Sequence, residues 1–337
     1  MLDTLTTTLY QSSLYFLDAN QRIFWLYILS SLVLTLALIK LKPQHSLSGQ
    51  PISNSHRLTD YLFNKDIWLH PSARHDYVIF IVNRLLKAFA IIPVLVTMAP
   101  IAISFSSSLE QYFGNRDYID ASSTTIMLSF TIILFIFDDF TRFLLHYLLH
   151  KVPALWEFHK VHHSAKVLTP MTIYRSHPVE SLLYGSRMAL TQGIAVGLSY
   201  YLFGPTLAMI DILGANAFVF LFNIMGSNLR HSHIWLSWGN WVEYIFISPA
   251  QHQIHHSNQV KHFDRNFGSA LAIWDKLFGC HVLASTVAEP SKISFGISKK
   301  NQEHQSLTEI YLMPFKLSFL CCIKPITRLI ARVKPDS

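Results

Sequence analysis

One pattern, HxxHH, occurs twice in this chain: His159, His162 and His163 in "WEFHKVHHSA", and His252, His255 and His256 in "SPAQHQIHHS". A further pair, His146 and His150 in "LLHYLLHK", stands just ahead of the first copy. Residues three and four apart share one face of a helix, so each group can aim two or three imidazoles at one point. A lone histidine needs no special account, but eight in three groups of helical spacing do. Neutral imidazole is the commonest transition-metal ligand. The pattern therefore demands a fold that carries three separate helices to one place. Eight ligands exceed the four of a zinc site and fit two metals better. "NLRHSHIW" adds His231 and His233, and "YRSHPVE" adds His177. The chain contains no HExxH, no GxSxG and no phosphate-binding P-loop pattern, which removes zinc-protease, serine-hydrolase and nucleotide-hydrolase readings.

Composition narrows the setting. Of 337 residues, 51% are apolar and only 14% charged, against about 25% charged in an average soluble domain. A bilayer core of about 30 Å needs roughly 20 apolar residues in a helix. Residues 23–39, the part of 77–105 after Lys87, and 124–137 meet that need, and 188–225 is a fourth apolar region split by "FGPT". The expected fold is all-α: a polytopic integral membrane protein with about four to five membrane-embedded helices. A cytoplasmic helical cap carries the histidine-rich dimetal site. The loop 40–76 holds Lys40, Lys42, Arg57, Lys65 and Arg74, whereas 106–123 holds only Arg116 beside Glu110, Asp117 and Asp120. By the positive-inside rule the first loop is cytoplasmic. The fourth region must then enter and return as a hairpin at "FGPT" for all the histidines to share one side.

The excess of 27 Lys and Arg over 20 Asp and Glu, +7, fits cytoplasmic loops and lipid headgroups rather than nucleic acid. Three regions are expected: membrane helices and loops in 1–122, a catalytic domain in 123–283, and a basic amphipathic tail in 284–337. Within the tail, Lys316, Lys324, Arg328, Arg332 and Lys334 alternate with apolar residues, as in a helix lying on an anionic membrane surface; Pro325 would interrupt a true span. Cys280, Cys321 and Cys322 offer neither a disulfide framework nor a CxxC metal pair. The N-terminus lacks the basic start of a signal peptide, so the first apolar stretch is expected to be retained.

From Asp138 to Gly279 the sequence resembles the fatty acid hydroxylase/sterol desaturase superfamily of membrane di-iron enzymes. The resemblance rests on Asp139 seven residues before His146/His150, then His159/His162/His163, then the late His252/His255/His256. "YRSHPVE" is similar to the segment after the second box in sterol C4-methyl oxidases and C5-desaturases. "HFDRNFGSALAIWDKLFG" is similar to the stretch after the last box in alkylglycerol monooxygenase and its bacterial relatives. The resemblance implies that His146, His150, His159, His162, His163, His231, His252, His255 and His256 are ligands, with His177 and His233 as further candidates. It implies two iron ions, replaceable by zinc, and O2 as co-substrate.

Such an enzyme attacks an unactivated C–H bond of a membrane lipid, as a hydroxylase or a desaturase, the lipid being a sterol, alkylglycerol, sphingolipid or acyl chain. All-imidazole ligation makes nearby carboxylates matter, because they orient histidine N–H groups and raise ligand basicity. Asp139 is the first candidate for that role; Asp138, Glu157, Glu180 and Asp264 follow. No electron-transfer domain is recognisable, so an external donor is expected: a cytochrome b5-like protein, a ferredoxin or a reductase. The expected location is the bacterial inner membrane or the endoplasmic reticulum, with the site facing the cytoplasm. The competing reading is a histidine-rich membrane protein that binds or transports metal. Transporters place ionisable residues within their spans, whereas these histidines follow the apolar runs.

Overall fold

The computed structural model describes residues 10, 14–41, 55–91, 97–205, 207–297, 304 and 306–333. It is helical apart from one hairpin, in which β1 (Asp211–Ile212) pairs antiparallel with β2 (Ala215–Asn216). The larger helices are α1 (Trp25–Leu41), α2 (Pro71–Leu86), α3 (Met98–Phe113), α4 (Ser123–Lys151) and α5 (Pro153–His163). They continue with α6 (Pro178–Phe203), α7 (Ala217–Ile224), α8 (Pro249–His255) and α9 (Leu307–Val333).

Local chemistry sets the ends of the helices that matter. Ser122 caps α4 by accepting the N–H of Thr125. Pro153 at the first turn of α5 cannot continue α4 and forces a new helix, which folds the first HxxHH back beside His146 and His150. His177 caps α6 through Nδ1, which accepts the N–H of Val179 at 3.1 Å, and Pro178 follows it. Ser248 and Gln251 form a reciprocal capping box at the start of α8.

The helix α6 packs closely along α3. A Cβ at Gly193 would stand 2.6 Å from the Ile101 side chain, and one at Gly197 2.6 Å from the Ala102 carbonyl. Two glycines four apart therefore let the backbones approach where no larger residue fits. The α5–α9 contact is apolar: Ile79, Val161 and Ile310 are fully enclosed together.

The expected spans meet a different outcome: no helix among the described residues is long and apolar enough to cross a membrane. The 17 residues of α1 and 16 of α3 reach about 25 Å at 1.5 Å per residue, short of the roughly 30 Å hydrocarbon core. In α4 the apolar run stops at Asp138 and Asp139. The crossing expected after Lys87 falls partly on 92–96, outside the described residues. At "FGPT", α6 does end where a turn was expected, with Gly204 at φ +82°. The second arm is not a span, however: it is the short β hairpin followed by the eight residues of α7. In the tail, α9 runs through Pro325 rather than stopping there. Lys42 and Lys334 lie outside the described residues, and the side chains of Arg57, Lys324, Arg328 and Arg332 are not described.

Candidate metal centre

The three helices α4, α5 and α8 converge, and with the turn Ser227–His231 they bring nine histidines together. The nine divide into two groups. His146, His150, His159, His163 and His255 form one; His162, His231, His252 and His256 form the other, and in each the candidate ligand atoms lie within 4.8 Å of one another. The HxxHH pattern explains the division. In α5, His159 and His163 serve the first group while His162 turns to the second; in α8, His255 serves the first while His252 and His256 serve the second. The groups abut, with the His163 and His256 rings stacked at 4.5 Å.

The protein fixes several rings from behind. His146 Nδ1–H donates to the Phe267 carbonyl at 2.8 Å, His255 Nδ1–H to the Arg265 carbonyl at 2.8 Å, and His162 Nδ1–H to the Arg175 carbonyl at 3.2 Å. His159 Nδ1–H donates to Glu180 Oε1 at 3.1 Å. His150 Nδ1 lies 3.5 Å from Asp264 Oδ1. A neutral imidazole has one N–H, so engaging Nδ1–H leaves a lone pair on Nε2.

Nε2 of His150, His159, His163 and His255 is buried without a hydrogen-bonding partner. In the second group, Nε2 of His231 lies 3.3, 3.2 and 3.1 Å from Nε2 of His162, His252 and His256. Crowded lone pairs and orphaned buried acceptors are costly, and a cation between them relieves both. Burial also favours the neutral, ligating form: it pushes His159 down to about 3 and His162 to about 4. The others in both groups lie well below the ordinary histidine value for the same reason. The donor set suits a borderline divalent transition metal.

A cavity of about 330 Å³ adjoins His150, His163, His255 and His256, with Trp156 and Phe263 among its walls.

The other candidates are placed elsewhere. His177 has both ring nitrogens engaged, Nδ1 as the α6 cap and Nε2 against the Tyr311 carbonyl at 3.1 Å. His233 donates through Nε2 to the Tyr61 carbonyl at 2.7 Å. Neither belongs to a group. Asp139 does not touch a histidine. It accepts the N–H groups of Ala270 (2.7 Å), Leu271 (3.0 Å) and Trp274 Nε1 (2.9 Å). Among the expected carboxylates Glu180 and Asp264 do face histidines, whereas Asp138 pairs with Arg142 and Arg187 and Glu157 with Lys160.

Several supporting residues escape a sequence reading. Asp275 accepts the N–H groups of Phe267 (2.7 Å) and Gly268 (2.9 Å). Asn266 bridges the carbonyls of Gln251 and Val282. A Cβ at Gly268 would collide with Ile247, Leu271 and Asp275. The "NFG" and "WD" signatures thus encode one tight loop whose carbonyls orient His146 and His255. Arg175 and Asp76, an enclosed ion pair at 2.8 Å, brace the segment behind His162.

Comparisons with known proteins follow the same residues. Residues 131–280 match the fatty acid hydroxylase family. Over 175 residues, 51% of this chain and 47% of the relative, the chain is 30% identical to ornithine lipid hydroxylase OlsE of Rhizobium tropici. It is 26% identical to human alkylglycerol monooxygenase over 160 residues, 48% of this chain and 31% of that protein. It is 28% identical to a Delta(7)-sterol 5(6)-desaturase of Eremothecium gossypii over 152 residues, 43% and 35% of the two chains. The chain thus spans less than half the length of each of these relatives. No solved structure matches it. The match of residues 131–280 to the fatty acid hydroxylase family, and these relatives, agree with the resemblance carried by the ordered histidine boxes.

Proposed function

We propose that this protein is an O2-dependent di-iron oxidoreductase that hydroxylates or desaturates a membrane lipid. The observation that carries the reading is the division of nine histidines into two adjoining groups, one with four buried Nε2 atoms that lack partners and the other with four Nε2 atoms crowded onto one another. His146, His150, His159, His163 and His255 would hold one iron, and His162, His231, His252 and His256 the other. Two irons there would supply the redox chemistry by which O2 attacks an unactivated C–H bond; zinc can occupy the same imidazole sites.

The chain's own part is positioning. The carbonyls of Phe267, Arg265 and Arg175 and the Glu180 carboxylate hold the rings in one orientation, which raises ligand basicity. Trp156 and Phe263 give the adjoining cavity an apolar wall against which a lipid chain would lie.

The lipid comes from the names of the relatives, which are lipid hydroxylases, monooxygenases and sterol desaturases. A membrane location is supported by the surface. The helix α1 buries Ser31 and Thr35 but exposes Ile28, Leu29, Leu32, Val33 and Leu36, the reverse of a helix surrounded by water. Apolar surface on that scale marks a membrane or partner contact. We place the centre on the cytoplasmic side, supplied with electrons by a separate cytochrome b5-like protein, ferredoxin or reductase. Two measurements test the proposal. Protein made in iron-replete cells should carry two irons per chain. Lipid mass spectrometry of cells with and without the gene should show one lipid gaining an oxygen or losing two hydrogens. One metal or none in folded protein, or unchanged lipids, overturns it.

A further inference from the structure

Two short helices beside the histidine centre are built inside out. In Asn240–Glu243 the buried residue is Glu243, and in Ile273–Leu277 it is Asp275. Both carboxylates are fully enclosed. Glu243 accepts from Ser237 Oγ (2.7 Å), Ser248 Oγ (2.8 Å) and the N–H groups of Trp238 (3.2 Å) and Ala284 (2.9 Å). Asp275 accepts the N–H groups of Phe267 and Gly268. The large apolar side chains lie outside. Trp241 is 89% exposed and Leu277 70%, and Tyr244, Ile245, Ile273 and Phe278 are exposed with them. Acid inside and apolar outside is the reverse of what water selects.

The six make one surface. Ala272 N–H donates to the Ile245 carbonyl at 2.7 Å, and Lys276 Nζ sits over the Tyr244 ring at 4.8 Å. This surface continues that of the long helices. Trp238 meets Phe222 of α7 edge to face at 5.8 Å. Leu236 packs against the cluster of Leu229 and Ile234, as do Leu38 and Ile39 near the end of α1. On the other side Trp274 meets Phe140 at 5.0 Å, one turn beyond Ile136, where the apolar run of α4 ends with Leu128, Ile132 and Ile136 exposed. The surface charge has one sign. Residues 237–245 and 271–279 hold three charged side chains, and with Glu243 and Asp275 turned inward only Lys276 is exposed.

We propose that segments 241–245 and 273–278 form an anchor that lies in the headgroup layer of an anionic membrane leaflet. Trp and Tyr favour that layer, because each pairs an apolar ring with one polar group, and Lys276 there meets the negative lipid surface. An acidic soluble partner would ask for several cations, whereas this face offers one among six apolar side chains. The inference rests on the membrane location proposed above and adds what sets the height of the histidine centre. Asp275 holds the N–H of Phe267, whose carbonyl receives His146, so the helix seated among headgroups also fixes a candidate ligand.

The test places a nitroxide at Trp241→Cys or Leu277→Cys in the full chain carrying Cys321→Ser and Cys322→Ser, in vesicles of phosphatidylcholine and phosphatidylglycerol. Both positions are largely exposed, so the label displaces little packing, and Cys280 is buried. Two further labels serve as references. Leu32→Cys lies on the exposed side of α1; Val260→Cys is 81% exposed but stands four residues before the Asp264 that pairs with Lys151 at the end of α4. Electron paramagnetic resonance reads relaxation by O2, which dissolves in lipid, and by a water-soluble nickel chelate. We expect labels at 32, 241 and 277 to respond to O2 and to lose most of the chelate effect seen at 260. Without phosphatidylglycerol, chelate access at 277 should rise; unchanged access overturns the anionic leaflet. Chelate access at 241 and 277 equal to that at 260 overturns the anchor. Shielding from both reagents does so too, since a second copy or a partner protein would then cover this face. No label depends on metal or turnover. With position 32 in lipid, a wet patch counts against this inference alone, whereas chelate access at 32 removes the membrane location itself. Seated labels on a chain that binds no iron count against the oxidase reading alone.

Discussion

His146 Nδ1–H donates to the carbonyl of Phe267 at 2.8 Å, and this bond ties the first histidine pair to the loop that follows the last box. Asp139 grips the same loop at Ala270, Leu271 and Trp274, and Asp275 grips it at Phe267 and Gly268. Asp139→Asn turns one of the accepting oxygens into a donor facing donors. We expect the loop to loosen and the group containing His146 and His255 to lose metal affinity by about 10–100-fold, the usual cost of disturbing a ligand's support. Metal content of the purified variant checks this. Full occupancy together with parental turnover would show that Asp139 does not act through the loop.

The two-group division makes a sharper expectation. His163→Ala and His255→Ala should empty the five-histidine group first, whereas His252→Ala and His231→Ala should empty the four-histidine group. All four should abolish turnover. His177→Ala and His233→Ala should keep both metals, since their ring nitrogens serve a helix cap and backbone carbonyls; losing the cap costs His177→Ala about 1 kcal/mol of stability. Metal counts alongside thermal unfolding separate the cases. Loss of metal in the His177 or His233 variant would refute the division.

What could be read from the sequence follows spacing. The pattern i, i+3, i+4 is a property of helices, so the eight histidines of the three boxes could be grouped from spacing, whereas His231, which fits no such pattern, entered only through the resemblance. Which group each serves was not legible, because that depends on how α5 and α8 cross. The way Asp139 reaches the histidines, through a loop and not by direct contact, was hidden for a related reason. Its distance from His146 along α4 is fixed by the helix, but its partners lie more than a hundred residues away in the loop 270–274. Apolar runs likewise predicted membrane spans, yet run length says nothing of where a helix stops, as Gly204 and the hairpin after it show. Arg175 and Asp76 carried no signal at all, since an ion pair 99 residues apart in sequence leaves no local pattern.

That pair supports a third expectation. Arg175 donates to Asp76, to the Val161 carbonyl and to Ser164 Oγ, and its own carbonyl accepts His162 Nδ1–H. Asp76 also accepts from Thr172 at 2.7 Å. Removing one partner of an enclosed pair leaves an uncompensated charge and typically costs about 3–5 kcal/mol. Arg175→Met should fall in that range in denaturant unfolding, and Asp76→Asn should be milder because it keeps the shape and one acceptor. An Arg175→Met protein with parental stability would mean that the pair contributes nothing net.

The last expectation concerns pH. Burial pushes the Asp275 carboxyl up to about 6 from an ordinary 3.8, against the pull of Cys280 and of the Gly268 and Phe267 N–H groups. The folded state then binds this proton more tightly than the unfolded chain does. Such a group contributes most to stability below its unfolded value, and the contribution is lost as pH rises through the folded one. Metal-free parent and Asp275→Asn should therefore be compared by denaturant unfolding at several pH values from 4 to 7. The variant cannot titrate at this position, so the stability of the parent relative to it should fall between about pH 4 and 6 and level off above. A relative stability that rises over that interval would show that the N–H groups of Phe267 and Gly268 hold Asp275 as an anion, reversing the sign of its shift.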